Sequence, residues 1–258
     1  MGGAAGLLAL SVAVCRVQPV FFNQVMALGA GSQLLAHVLL AGTGSVVAAT
    51  PGWIGFLVLT ITGERLELNR LLRPSPDAQR AIRVLLGVLA LSLALAGWNL
   101  EAGTRLLGLS LLGVAGWLGV YDLARRTVRL GGLARYTGLC LLSGYAWLGV
   151  AGLLMLSGPF QGAGPWRDAS LHCLFLGFVF AMIFGHAPII VPALTGLAVR
   201  LNLGFHAALW LLHAGLLLRV AGNLAGMTAL RVHGGELGAL SILLFLGVLL
   251  ASLRRANS

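Results

Sequence analysis

The stretch Asp168–Gly196 decides the fold and reads DASLHCLFLGFVFAMIFGHAPIIVPALTG. It is long enough to cross a bilayer as one helix, since about 20 apolar residues span the hydrocarbon core. Two histidines, His172 and His186, lie within it. Their spacing returns them to within about 40° of one helix face, about 21 Å apart along the axis. Because imidazoles are costly in hydrocarbon, the pair predicts a functional site.

The whole chain has the composition of an integral membrane protein. Of its 258 residues 59% are hydrophobic and only 9% are charged, whereas about a quarter of the residues are charged in a soluble domain. All 17 basic residues are arginines and the formal net charge is +10. Because these arginines lie in short loops between apolar segments, they are a topology signal and do not indicate nucleic-acid binding.

The hydrophobic pattern predicts an all-α fold, a polytopic transmembrane helix bundle of about eight or nine spans. We expect a single transmembrane helical domain over residues 1–258. Pro51 is interpreted as a restart of the chain, and Pro188 as a kink beside His186. The predicted segments are 3–22, 28–49, 53–72, 81–98, 105–123, 136–156, 168–192, 202–222 and 236–253.

Loop charge predicts the orientation of the bundle. Loops 64–83, 125–135 and 196–201 and the C-terminal tail hold most of the arginines, and they alternate with arginine-poor loops. The positive-inside rule therefore predicts a multi-pass protein of the bacterial inner (cytoplasmic) membrane with a cytoplasmic C-terminus.

Five of the six histidines fall inside predicted spans. At 1.5 Å per residue the depths pair His186 with His206 near the cytoplasmic leaflet, and His37 with His213 near the midplane. His172 is left near the outer surface. These five are the candidate cofactor-binding residues, and the two depth-matched pairs are the candidate metal ligands. His233 is expected in an outer loop.

Neutral imidazole binds iron, copper or zinc. Haem b, in one or two copies, suits histidines on neighbouring helices, and the chain has no C-x-x-C-H motif for covalent attachment. Two other interpretations stay open: histidines that only hydrogen-bond between helices, and a proton relay without metal.

Other polar and small residues have similarly divided interpretations. Glu64, Arg65 and Glu67 are either a snorkelling helix end or partners of haem propionates or protons. Gly113, Gly116 and Gly119 allow either close helix packing or space for a flat macrocycle. On the outer side, the candidate propionate partners are Arg167, Arg219 and Arg231.

The motif His172-x4-Gly177-x4-Met182 resembles a hallmark of the NnrS family of polytopic bacterial membrane proteins, which are associated with haem, copper and the response to nitric oxide. The run continuing through His186 and Pro188 is similar to shorter NnrS-like proteins, as is TITGERLEL at 60–68. The resemblance implies a haem-binding helical fold remotely similar to subunit I of haem–copper oxidases. The chain has no adjacent His-His pair and no H-x-H motif. We therefore take the resemblance to imply haem in this chain, but not copper.

We therefore predict a b-type haem protein of the bilayer, serving electron transfer or a redox role linked to nitric oxide or quinone. Respiratory subunits are possible partners. The alternatives are a histidine-lined transporter or channel, and a structural subunit of a larger membrane respiratory complex. The residues do not decide whether the chain is an enzyme.

Overall fold

The computed structural model describes residues 1–255, and almost all of them are helical. The predicted all-α class is confirmed. In chain order the elements of the first half are α1 (Gly2–Val17), α2 (Phe21–Thr43), α3 (Val46–Asn69), a 3₁₀ turn (Arg70–Leu72), α4 (Pro76–Trp98), α5 (Leu100–Tyr121) and α6 (Ala124–Thr127). Those of the second half are α7 (Gly132–Ser157), α8 (Pro165–His172), a π-helical segment (Cys173–Phe180), α9 (Ala181–Thr195), β1 (Leu197–Val199), α10 (Leu203–Leu224), α11 (Thr228–Ser252) and β2 (Leu253–Arg255).

Eight helices among the described residues are long and apolar enough to cross a bilayer, and α1 is a shorter apolar helix. Large apolar side chains face outward along these helices; Leu91, Trp210 and Leu217 are each more than half exposed. Such a surface suits hydrocarbon rather than water. The protein is therefore a multi-pass membrane protein.

The predicted bounds of the second and third segments were wrong. Helix α2 ends at Thr43, where Gly44 takes a left-handed conformation (φ 65°), and α3 begins after Ser45, whose hydroxyl accepts from the backbone N–H of Ala48. These are standard stop and start signals. Pro51 lies inside α3 rather than at a restart.

Two further boundaries differ from the prediction. Helix α11 begins at Thr228, so His233 lies in a helix and not in a loop. The seventh span continues through Pro188 and Pro192 to Thr195, and Gly196 ends it with φ 69°. The elements α8, the π segment and α9 thus form one helix, Pro165–Thr195, which we call the long helix.

The helices pack in antiparallel neighbours: α2 against α3, α4 against α5, α5 against α7, and α10 against α11. We call the end that holds turns 70–75, 122–131 and 196–202 the arginine-rich end; the opposite end holds turns 44–45, 158–164 and 225–227. At the arginine-rich end β1 pairs antiparallel with β2, Leu197 opposite Arg255. This pairing ties the α9–α10 turn to the end of α11.

Candidate functional site

Three of the five candidate histidines share one hydrogen-bonding pattern. The Nδ1 atoms of His37, His172 and His186 lie 2.7, 2.8 and 2.7 Å from carbonyl oxygens one helical turn earlier. A carbonyl oxygen only accepts, so Nδ1 carries the proton and Nε2 keeps its lone pair. Metal-binding histidines are commonly held by such a bond. These three imidazoles can therefore bind iron through Nε2 without a change of tautomer.

His213 has the opposite arrangement. Trp147 donates its indole N–H to Nδ1 of His213 over 3.0 Å. An indole N–H is only a donor, so Nδ1 is unprotonated and Nε2 carries the proton. Coordination through Nε2 would require that proton to leave. His213 is a poor axial ligand for this reason. The hydrogen bond between Trp147 and His213 instead joins two helices through residues 66 apart in the sequence.

The structure places His186 and His206 at similar depths. Thr137 donates its hydroxyl to the carbonyl of Gly185, next to His186, over 3.0 Å. His206 packs edge-on against Tyr136, with ring centroids 5.1 Å apart. Because residues 136 and 137 are neighbours on α7, both histidines lie near the same level of the bundle.

Aromatic side chains fill the space around that level. Phe184 of α9 stacks on Phe245 of α11 with ring centroids 3.9 Å apart, and Phe205 of α10 packs against both Phe245 and Tyr136. Phe184, Phe205 and Tyr136 are at most 1% exposed. No histidine, His172 included, lines the five cavities of about 170–380 Å³ among residues 1–255. Aromatic rings therefore occupy the space between His186 and His206.

The predicted pairing of His37 with His213 is wrong. His37 contacts Trp53 edge-on, with ring centroids 6.3 Å apart, and Trp53 is one turn from Thr50, which accepts from Arg167. His37 therefore lies towards the opposite end of the bundle. The error came from the bounds of the second segment, which begins seven residues earlier than predicted.

The prediction that His172 and His186 share a helix face is also wrong. The π segment Cys173–Phe180 lies between them. In a π-helix each N–H bonds to the carbonyl five residues earlier, so a turn takes more residues than in an α-helix. Over this segment the difference rotates His186 by on the order of 100° from its predicted direction. Mid-helix π turns occur frequently at functional sites.

A polar cluster surrounds His172 at the opposite end of the bundle. The Asp168 carboxylate accepts from Arg219 over 3.0 Å and from Asn223 over 2.6 Å. It also lies 3.4 Å from Nδ1 of His172. We call these four residues the Asp168 cluster. The carboxylate and the backbone carbonyl of Asp168 together fix the orientation of the imidazole.

Two cavities adjoin the Asp168 cluster. One, of about 330 Å³, is lined by Arg167, Asp168 and Arg231; the other, of about 170 Å³, is lined by Asn223 and Arg231. Arg219 donates towards the carbonyl oxygen of Arg231 over 3.5 Å. The structure thus brings together the three outer arginines that the sequence singled out. Three guanidinium groups beside one carboxylate favour an anionic ligand.

Buried polar atoms without a hydrogen-bond partner occur in the Asp168 cluster and at Arg167 beside it. Among residues 1–255, Nε of Arg167, Nε of Arg219 and Oδ1 of Asn223 are buried without a hydrogen-bond partner. A buried donor left unpaired costs about 1–3 kcal/mol. The two arginine Nε atoms are donors that an anionic ligand would satisfy, whereas Oδ1 of Asn223 is an acceptor that would need a donor.

A direct metal-ion site finds less support. Within residues 1–255 no three His, Cys, Asp or Glu side chains gather in a group that could hold a metal ion. Haem iron needs only one or two protein ligands, because the porphyrin supplies the other four.

The buried ion pair of Arg65 and Asp122 was not predicted from the sequence. Arg65 donates from Nε and an NH₂ group to the two carboxylate oxygens over 2.9 and 3.0 Å, and their side chains are 6% and 0% exposed. Asp122 also accepts from the backbone N–H of Ala124 over 2.7 Å. Arg65 is neither a snorkelling residue nor placed for a propionate; it joins α3 to the end of α5.

The glycines mostly serve helix packing. A Cβ on Gly152 would lie 2.6 Å from the carbonyl oxygen of Gly108, and one on Gly177 would lie 2.5 Å from Trp147. Gly116 and Gly119 instead have open space around them and line a groove between α5 and α7. Of the three glycines to which the two interpretations were given, Gly113 would contact Leu85, whereas Gly116 and Gly119 leave space.

The fold and these polar sites define an all-helical multi-pass membrane protein. The chain belongs to the family described as "Domain of unknown function (DUF8744)", whose family model matches residues 1–254. Searches of curated proteins and of solved structures found no match. The family description names no activity, so the side chains carry the functional argument.

Proposed function

We propose that this chain is a membrane protein that binds b-type haem at the opposite end of the bundle, with His172 as an axial ligand. The observation that carries the proposal is the Asp168 cluster beside the arginine-lined cavities. The NnrS-like motif that begins at His172 agrees with it. The proposal replaces the inner pair, His186 and His206, with a site nearer the membrane surface.

His172 is oriented for this role. Its Nδ1–H bonds to the Asp168 carbonyl over 2.8 Å, and the Asp168 carboxylate lies close by. A carboxylate or carbonyl behind a ligating imidazole fixes its ring and raises its basicity. Asp168 is itself held by Arg219 and Asn223, so the whole unit resists reorientation.

Arg167 and Arg231 would hold the propionates. Both line the cavity of about 330 Å³, which would take the propionate edge of the macrocycle. Arg167 is positioned by Thr50, which accepts from it over 3.1 Å, and lies over Phe160.

A haem held by two histidines carries single electrons, whereas one with an open position binds small gases. By the positive-inside rule the arginine-rich end is cytoplasmic, so this site would face the outside of a bacterial inner membrane. A respiratory donor, or a quinone in the bilayer, could then exchange electrons with it.

The test is spectroscopic. The full chain, purified in detergent from haem-replete cells, should give a b-type reduced-minus-oxidised spectrum and a positive pyridine haemochromogen assay. His172→Ala should lose at least about 90% of the haem, because an axial bond is removed. His206→Ala and His213→Ala should keep most of it.

Size-exclusion profiles must match for all variants, so that haem loss is not confused with unfolding. A colourless wild-type preparation would overturn the proposal. So would a His172→Ala variant that retains the wild-type haem content.

Transport is the second candidate, favoured by the buried Arg65–Asp122 pair where α3 and α5 approach the arginine-rich end. Buried ionisable residues of membrane helices often mark substrate or ion paths. A transporter would be colourless, and uptake into proteoliposomes would depend on Asp122. The same preparation therefore separates the two candidates.

A further inference from the structure

A second cavity lies at the arginine-rich end, far from the Asp168 cluster. Its volume is about 380 Å³, within the usual range for small-molecule sites. It opens between the start of α2, the end of α3 and the start of α4, with α5 behind. No candidate histidine lines it.

The inner wall of this cavity is apolar. Phe22, Ile82 and Trp117 line it and are at most 8% exposed. The indole N–H of Trp117 is already bonded to the carbonyl of Ala78 over 2.8 Å, so this tryptophan offers the cavity only apolar surface. A hydrocarbon chain can cover such a wall without leaving polar groups unpaired.

Asn69 supplies one buried polar group to the cavity. It is 1% exposed, and its Oδ1 accepts from the backbone N–H of Leu123 over 3.1 Å. That bond assigns the amide, since a backbone N–H requires the oxygen. Its Nδ2 has no hydrogen-bond partner among residues 1–255. A ligand with an acceptor oxygen would satisfy this donor.

Arginines form the rim. Arg70 and Arg83 lie over Phe22 and Phe21, at 4.6 and 5.3 Å from the ring centroids, and Arg73 lines the same rim. Within residues 1–255, Arg73 and Arg83 form no salt bridge. The nearest ion pair is the exposed one between Arg70 and Glu67. The rim is therefore net positive.

We propose that this cavity binds an anionic glycerophospholipid. The phosphate would accept from Nδ2 of Asn69 and pair with Arg73 and Arg83, while an acyl chain would cover Phe22 and Trp117. Basic recesses between membrane helices at the cytoplasmic side are suited to acidic headgroups. Phosphatidylcholine carries the same phosphate, but its trimethylammonium cation would lie near the arginines of the rim and repel them.

The experiment uses the full chain in detergent with lipid added. Native mass spectrometry measures binding of dioleoylphosphatidylglycerol and of dioleoylphosphatidylcholine. We expect the anionic lipid to bind at least about tenfold more tightly, because it makes the same phosphate contacts without bringing a trimethylammonium cation to the arginines. Asn69→Asp should lose most of this preference. It keeps the acceptor for Leu123 but replaces the unpartnered donor with an anionic oxygen.

The charge test compares two double variants with equal net charge. R73Q with R83Q removes two rim arginines; R135Q with R200Q removes two exposed arginines of the same end that do not line the cavity. The first should weaken binding of the anionic lipid about tenfold, and the second less than twofold.

Three results would overturn the proposal. The two double variants could weaken binding equally, which would mean non-specific surface attraction. Phosphatidylcholine could bind as tightly as phosphatidylglycerol. Inorganic phosphate or glycerol 3-phosphate could displace the lipid at equal concentration, which would make the site one for free phosphate.

Discussion

The variant Asp122→Ala should lose about 3–5 kcal/mol of unfolding free energy, among the largest effects of any single substitution in this chain. The change leaves the guanidinium of Arg65 buried without its bidentate partner, and it removes the acceptor for the Ala124 N–H. The loss would be measured by unfolding in mixed micelles titrated with sodium dodecyl sulfate.

An exposed pair provides the matched control for that prediction. Asp77 lies 3.4 Å from Arg80, and both side chains are more than 70% exposed, so Asp77→Ala should cost under about 1 kcal/mol. The double variant R65M with D122L should be more stable than Asp122→Ala alone, because no charge is then left buried. A double variant as unstable as the single one would contradict the argument.

Gly152→Leu should separate α7 from α5 and cost about 3 kcal/mol or more, beyond ordinary overpacking. A Cβ at this position would meet the backbone of α5, lying 2.6 Å from the Gly108 carbonyl oxygen and 2.9 Å from the Leu112 nitrogen. Backbone cannot move aside as a flexible side chain can. Thermal unfolding in detergent, followed by circular dichroism, measures the effect.

Gly116→Leu is the control for this contact. Gly116 lies on α5, the helix that Gly152 of α7 contacts, but a Cβ at Gly116 meets nothing within 4 Å. Removing a helix-interior glycine should gain a few tenths to about 1 kcal/mol in this setting. Equal destabilisation by the two leucines would show that the α5–α7 contact is not the cause.

The sequence predicts the helical class and most spans because hydrophobic length is a local property. It fails at the α2–α3 boundary, where Pro51 looked like the stronger break. Gly44 and Ser45 in fact end one helix and begin the next. Pro51, the sixth residue of α3, removes one backbone hydrogen bond but does not end the helix. A left-handed glycine ends α2, and the hydroxyl cap that follows it begins α3.

The candidate site was predictable only in part. The outer arginines and His172 could be chosen from their places in the sequence. Depth arithmetic also placed His186 level with His206, but it could not foresee the aromatic rings around them. The partners that decide the chemistry lie far along the chain: Asp168 with Arg219, Trp147 with His213, Arg65 with Asp122. No local pattern encodes such contacts.

The eight-residue π segment allows the two parts of the long helix to change their rotation about the helix axis relative to each other. Converting one π turn to an α turn would advance the register by one residue and swing His172 around the axis relative to His186. The helix would keep its backbone hydrogen bonds throughout. The segment could therefore accommodate the gain or loss of a single residue between 173 and 180. The direction in which His172 points from the helix axis would then change.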